Sequence, residues 1–253
     1  MKHTLSLFAA VLYSTISLAQ TSGVVTYEQT MSLDNVQLDN LPAEFRAMIP
    51  KEHKEQKVLY FTAEKSLYEN APAPKKKAED EELQNANGSG IRMQIRQEVP
   101  DQKTYTDIKN KKTIQQKALM DRMFLITEET KPAKWKMTGN QKKVLDHAVM
   151  EAVMISDEDT VAAWFTTDIP VPAGPETFAG LPGLILEAHI GKNLVIKATG
   201  IKEDETAVSR IKEPTKGKKV SSAEYAKISK EKEEEMKRQF GGDGNVIFRT
   251  VTN

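Results

Sequence analysis

Residues Thr167 to Gly183 read TDIPVPAGPETFAGLPG and run directly into LILEAHI, Leu184 to Ile190. Pro170, Pro172, Pro175 and Pro182 share the first string with Gly174, Gly180 and Gly183. Proline fixes φ and removes a backbone donor, so both helix and interior strand are barred across the stretch. What remains is an ordered, stiff connection. Leu181-Pro182-Gly183-Leu184 fits a type II turn, in which proline presets the first central residue and glycine supplies the positive φ of the second. Leu184-Ile185-Leu186 then reads as a strand buried on both faces.

Working outward, short strands dominate. Val24 to Met31 alternates, with Val24, Val25, Thr26 and Tyr27 suited to a half-buried strand. Lys57 to Thr62 and Ser66 to Glu69 form an expected hairpin around Ala63-Glu64-Lys65. From Ile91 the pattern is a meander: Ile91 to Val99, Thr104 to Ile108, Thr113 to Ala118, Arg122 to Thr127, Lys134 to Thr138, Lys142 to Ile155 and Thr160 to Thr166. Turn-forming residues separate these runs at Pro100-Asp101, Asn110, Asp121, Lys131-Pro132, Gly139-Asn140 and Ser156 to Asp159. Lys142 to Ile155 also fits a helical stripe through Val144, Leu145, Ala148, Val149, Ala152 and Val153. Leu184 to Ile190 and Leu194 to Ala198 make a further hairpin about Gly191-Lys192-Asn193. Helix is expected from Leu41 to Met48, and again over 221–240, where Ser221 and Glu224 spell a capping box and Gly241-Gly242 stops it. Val246 to Val251 offers a last strand. Asn70 to Gly90 is charged and rich in Ala-Pro, with little to bury, and is expected to be a mobile loop. The fold expected is therefore mainly β. It is a single domain over 20–253, a curved antiparallel meander sheet or half-open barrel of about ten strands, with a short N-terminal helix and a C-terminal helix.

Lys2 and His3 lead into an uncharged run from Thr4 to Leu18, and Ser17-Leu18-Ala19 places small residues where a signal peptidase cuts. Residues 1–19 are accordingly expected to be a signal peptide cleaved after Ala19, which sends the protein to the periplasm or outside the cell. No later run is apolar and long enough for a transmembrane segment, which needs about 20 residues. The chain has no cysteine, which excludes disulfides, thiol nucleophiles and thiolate metal sites. Its 36 basic residues balance 36 acidic ones, so neither a nucleic-acid nor an anionic-membrane partner is expected.

The string Gly180-Leu181-Pro182-Gly183-Leu184-Ile185-Leu186-Glu187 resembles the signature of the bacterial GLPGLI family. It is preceded, as in that family, by Ala163-Trp164-Phe165-Thr166-Thr167-Asp168-Ile169-Pro170, then Gly174-Pro175 and Phe178. Trp135-Lys136 and Lys143-Val144 resemble the family's upstream strand, so the likeness spans Trp135 to Ile190. The resemblance implies export but no reaction. Many relatives carry a cysteine in a Cys-x-x-Ala setting where this chain has Val149, three residues before Ala152; any chemistry of that thiol is lost here, and Val suits a small buried position.

For chemistry the sequence offers His53, His147 and His189. His189 follows Glu187 by two, which puts both on one side of a strand. No nucleophile elbow, zinc-protease, phosphate-loop or EF-hand motif occurs. Met120, Met123, His147, Met150 and Met154 would suit copper if they converged, and Asp157, Glu158 and Asp159 would suit calcium if they were not simply turn residues. No cofactor is expected. The proline-rich loop is the candidate binding element, through Trp164, Phe165, Phe178, Leu181 and Pro182, because a stiff loop loses little entropy on binding. The plainer alternative is that it plugs one end of the sheet and its aromatics are core. The leading functional expectation is a non-enzymatic cell-envelope protein that binds an apolar ligand, a peptide or an outer-membrane protein. Its rival is an envelope hydrolase or metal-binding protein built on His147 or His189 with Glu187.

Overall fold

The structure, a computed structural model, describes residues 22–32, 51–72, 100–130, 133–155 and 159–240. The expected signal peptide over 1–19, the helix expected over 41–48, residues 73–90 of the expected charged loop and the strands expected over 91–99 and 246–251 lie outside the described residues. Within them the chain forms strands β1 (Gly23–Ser32), β2 (Glu52–Phe61), β3 (Lys65–Asn70), β4 (Lys103–Asp107), β5 (Lys112–Leu119), β6 (Arg122–Glu129), β7 (Lys136–Val144), β8 (His147–Ile155), β9 (Thr160–Thr166), β10 (Leu184–Ile190) and β11 (Leu194–Glu203). Helix α1 (Ala207–Arg210), strand β12 (Lys218–Val220) and helix α2 (Ser222–Phe240) follow. No described helix is long and apolar enough to cross a membrane.

All twelve strands join one sheet in the order β12-β6-β5-β4-β3-β2-β1-β11-β10-β9-β8-β7. The pairing is antiparallel throughout except for β12 on β6. The terminal strands β12 and β7 do not pair with each other, so the sheet is open and curved rather than a closed barrel. Consecutive strands linked by short turns account for most neighbours; two long-range pairings add to them, β12 beside β6 and β1 beside β11, the latter with Gly23 opposite Glu203 and Met31 opposite Leu194.

Alternation along the strands sorts side chains onto two faces. Val25 and Tyr27 of β1, Leu59 and Phe61 of β2 and Tyr68 of β3 belong to the largest core, which continues through Ala163, Phe165, Ile185, Ala188 and Ile196. The residues between them, Val24, Val58, Tyr60, Leu67, Tyr105 and Ile114, form a second cluster with Ala207 of α1 and Ile211. At the far end Phe124 and Ile126 of β6 pack with Val220 and Tyr225, the two rings meeting edge to face at 5.6 Å. Helix α2 starts on the expected capping box: the Ser221 backbone N–H donates to Glu224 Oε2 at 2.7 Å, and the Glu224 N–H donates to Ser221 Oγ at 3.2 Å.

Two expectations are corrected. Lys142 to Ile155 is neither one strand nor a helix, since Leu145 and Asp146 form a tight turn that splits it between β7 and β8, with Val144 opposite His147. Leu145 takes φ 52°, a turn conformation. Conversely, Gly139-Asn140 does not end a strand. It lies in a bulge within β7, where the register shifts between Met137 and Gln141 and Gly139 takes φ 86°.

Candidate functional site

The connection from Thr167 to Gly183 lies against the largest core, to which Val171, Ala173, Phe178 and Leu181 all belong. Its backbone is tied to itself and to β10. The Leu184 N–H donates to Ile169 O at 3.0 Å, the Ile185 N–H to Ala173 O at 3.0 Å and the Phe178 N–H to Pro175 O at 3.1 Å. The Trp135 Nε1–H donates to Ala179 O at 3.0 Å, with the Trp135 and Phe178 rings edge to face. Leu184, Ile185 and Leu186 are each 0% exposed. Three consecutive buried residues are possible because β10 bulges between Ile185 and Glu187, so Leu186 has no partner in β9. Strand β10 pairs with β11 only from Glu187 onward. The Ile185 carbonyl instead accepts the phenolic O–H of Tyr27 at 2.6 Å, and burial pushes the Tyr27 pKa up, keeping that donor protonated.

The turn chemistry differs from the expectation. Gly183 does not take positive φ; Gly180 does, at 90°. Gly183 is required for a different reason: a Cβ there would stand 2.0 Å from the Thr166 carbonyl oxygen. The loop is thus a plug pressed on β9, not a type II turn standing over it.

This placement divides the expected binding residues. Phe165, Phe178 and Leu181 are core. Pro182 is exposed and Trp164 is half-buried. Trp164 alternates with Phe165 along β9, half-buried beside a fully buried neighbour, and packs in part against the main core; the loop does not gather the aromatics into one surface.

Trp164 instead belongs to a charged cluster that spans β7 to β10. It stands opposite Glu151 on one side and Glu187 on the other. The Lys142 ammonium lies 4.1 Å from its ring centroid, a cation–π contact, and also meets Glu187 Oε1 at 2.6 Å. The His189 Nε2 reaches the same oxygen at 2.5 Å, as their two-residue spacing requires. Glu187 is 5% exposed. Burial pushes its pKa up, but Lys142 and His189 together outweigh burial and hold it below the usual carboxylate range. Glu151 is itself fixed by Thr138 Oγ1 and Asn140 Nδ2, both 2.7 Å from its Oε2, which is what the β7 bulge positions. An imidazole oriented by a carboxylate can exchange protons, and an aromatic ring beside fixed charges of both signs can grip a peptide. His147 lies apart from Glu187 in the pairing scheme and meets the Asp168 carboxylate at 3.0 Å. That hydrogen bond lowers the Asp168 pKa.

The remaining candidates do not assemble. Met120 is exposed at the β5–β6 turn, whereas Met150 and Met154 pack on the main core from β8, with β4 to β1 and β9 to β11 between. Asp157 and Glu158 lie outside the described residues. Among the described residues no group of three His, Asp or Glu side chains is arranged to hold a metal ion. His53 is paired with Glu55 at 3.1 Å.

One residue without a sequence signal emerges. Glu176 takes φ 52°, an uncommon conformation for a non-glycine, and extends from the loop into a crevice of about 10 Å³ lined by Lys57, Tyr68, Thr104 and Lys117, room for about one water. Burial raises its pKa against the pull of Lys117 and Lys57. Burial lowers that of Lys117. Lys57 is satisfied by Asn70 Oδ1 at 2.6 Å and Glu55 Oε2 at 2.7 Å.

The chain resembles PNGF-II, solved in two crystal forms. Each match has a TM-score of 0.52 and 17% identity over 84% of this chain, and covers 33% of the PNGF-II chain in one form and 34% in the other. At that identity the likeness is one of fold, and the chain spans about a third of the PNGF-II length. No curated protein matches the sequence. A family model described as a protein of unknown function, Porph_ging, matches residues 43–187, which run through the plug and into β10 as far as the buried Glu187. Since that match takes in more than half of the chain, the protein belongs to this family of unknown function.

Proposed function

We propose that this is a non-enzymatic binding or accessory protein of the bacterial cell envelope, exported by residues 1–19, that engages a peptide or an outer-membrane protein partner through the Trp164 cluster. The GLPGLI resemblance and the signal-like N-terminus support the compartment. The observation that carries the binding reading is Trp164 itself. It is half-buried on a strand whose other large aromatic, Phe165, is fully buried, and it is braced by Lys142, which Glu187 holds in place. A preorganised aromatic amid fixed charges is the chemistry of an interface anchor. The apolar-ligand version draws no such support, because the described clefts are lined mainly by charged and polar groups.

Native mass spectrometry of protein purified from its own envelope tests the reading. A co-purifying peptide or protein is expected with the wild type and lost in Trp164→Ala. Repeated recovery of the bare chain, or an equal complex with the variant, would overturn it.

The hydrolase alternative rests on the short His189–Glu187 contact. It predicts that wild-type protein cleaves ester or peptide substrates and that His189→Ala does not. Wild-type protein without turnover over a pH series removes it.

A further inference from the structure

On the sheet face opposite the plug, a cleft of about 350 Å³ opens between β3–β5 and the segment that links α1 to β12. Small-molecule sites begin at about 300 Å³, so this cleft is large enough to take a ligand. It lies across the sheet from the largest core and shares no residue with the Trp164 cluster.

The described lining carries a specific charge balance. Its three carboxylates already have cations. Lys103 Nζ stands 3.2 Å from Glu69 Oε2 and 3.4 Å from Asp101 Oδ1, and Lys112 holds both oxygens of Glu213 at 3.1 Å. Arg210, the last residue of α1, shares Glu69 with Lys103, which leaves Lys212 and Lys216 of the linking segment in excess. Arg210 touches Glu69 only at 3.9 Å and lies over the Tyr60 ring. Lys212 and Lys216 line the same cleft, and neither makes an ion pair among the described residues.

These cations are held on a strap rather than on a loose end. Ile211 packs into the second hydrophobic cluster. Pro214 is buried. The Lys216 N–H donates to Oε1 of Gln116, a side chain only 2% exposed, at 3.3 Å. Gly217, at φ 135°, passes so close to Met123 that a Cβ would lie 2.9 Å from its backbone, and β12 then pairs with β6. With three carboxylates set against Lys103, Lys112, Arg210, Lys212 and Lys216, two positive charges are in excess at this cleft, and a bound anion would relieve their repulsion.

We propose that this cleft binds a phosphate-bearing ligand, with Arg210, Lys212 and Lys216 as its cationic contacts. A guanidinium offers a planar fork that matches phosphate oxygens, and two ammonium groups beside it suit a dianion better than a single carboxylate. The phosphate could belong to a soluble molecule or to a lipid headgroup.

Calorimetric titration of the full-length mature protein with phenyl phosphate, alongside sedimentation with phosphatidylglycerol or phosphatidylcholine vesicles, tests the site. Saturable binding that weakens with added salt is expected. Lys212→Ala/Lys216→Ala should reduce it by about tenfold or more, Lys212→Arg/Lys216→Arg should retain it, and Lys227→Ala/Lys230→Ala on α2 should leave it unchanged. Binding of phenyl phosphate identifies a soluble ligand; binding only to phosphatidylglycerol vesicles, with the same response to the variants, identifies a headgroup. No binding to either probe, or equal binding by the strap variant with its melting temperature intact, would overturn the proposal.

Discussion

Gly183 shows how much of this protein rests on one missing side chain. With the Thr166 carbonyl 2.0 Å from where a Cβ would sit, Gly183→Ala forces the plug away from β9. A loss of about 3 kcal/mol or more is expected in urea unfolding, at or beyond the usual cost of overpacking. Gly180→Ala meets no steric neighbour and suffers only from its positive φ, so its loss should be about 1 kcal/mol. Tyr27→Phe strips the Ile185 carbonyl of its partner while changing little volume. Its expected cost is about 1–3 kcal/mol, the penalty for an unsatisfied buried acceptor. A Gly183 variant as stable as wild type would show that the close contact can relax. At this scale the sequence was a partial guide: four prolines exclude regular structure, yet nothing in the string tells that Gly183 serves contact and Gly180 serves φ. Glu176 was equally silent, because its meaning comes from Lys57 and Lys117, which are remote in sequence and are brought to it only by the folded sheet.

Among the elements, hairpins with short polar turns were the most legible. Thr160 to Thr166 and the pair about Gly191-Lys192-Asn193 stand where alternation and turn residues place them. The pattern misleads where two signals compete. Leu145-Asp146 carries no glycine or proline, so its turn was hidden under a helical-looking stripe, and Gly139 looked like a stop although a bulge absorbs it. Strand β12 and helix α1 are too short for periodicity to register; they exist because β6 and the second cluster offer them partners. The capping box of α2 was readable because its chemistry is local. Ser221→Ala should cost about 1 kcal/mol and loosen Tyr225 from Phe124, which near-ultraviolet circular dichroism would register. An unchanged spectrum would place the anchoring of α2 in β12 instead.

For the whole molecule, the open sheet is covered unevenly: the plug over the main core, α1 and the strap over the second, α2 over the third. Two carboxylates make its stability depend on pH in opposite senses. Glu187 has a folded pKa below its ordinary 4.5. Its contribution is present above that value and is lost as pH falls through the lowered one. Glu176 has a raised pKa, so the native state holds its proton more tightly and stability declines as pH climbs from 4.5 toward that raised value. The groups facing it are Lys57 and Glu55 from β2, Tyr68 from β3 and Lys117 from β5. Urea midpoints measured across the acid range should show this decline in wild type and not in Glu176→Gln, while Glu187→Gln should remove the loss at lower pH. Parallel profiles for all three proteins would contradict both assignments.

The proposed binding surface centres on Trp164 because Phe178, the aromatic of the loop itself, is locked inside. Amide hydrogen exchange measures that locking directly. The Leu184 and Ile185 N–H groups, which bond to Ile169 O and Ala173 O, should exchange only with global unfolding, among the slowest in the protein. If they exchange as fast as the amide of Lys192 in the exposed turn, the connection is a moving loop rather than a plug, and the assignment fails.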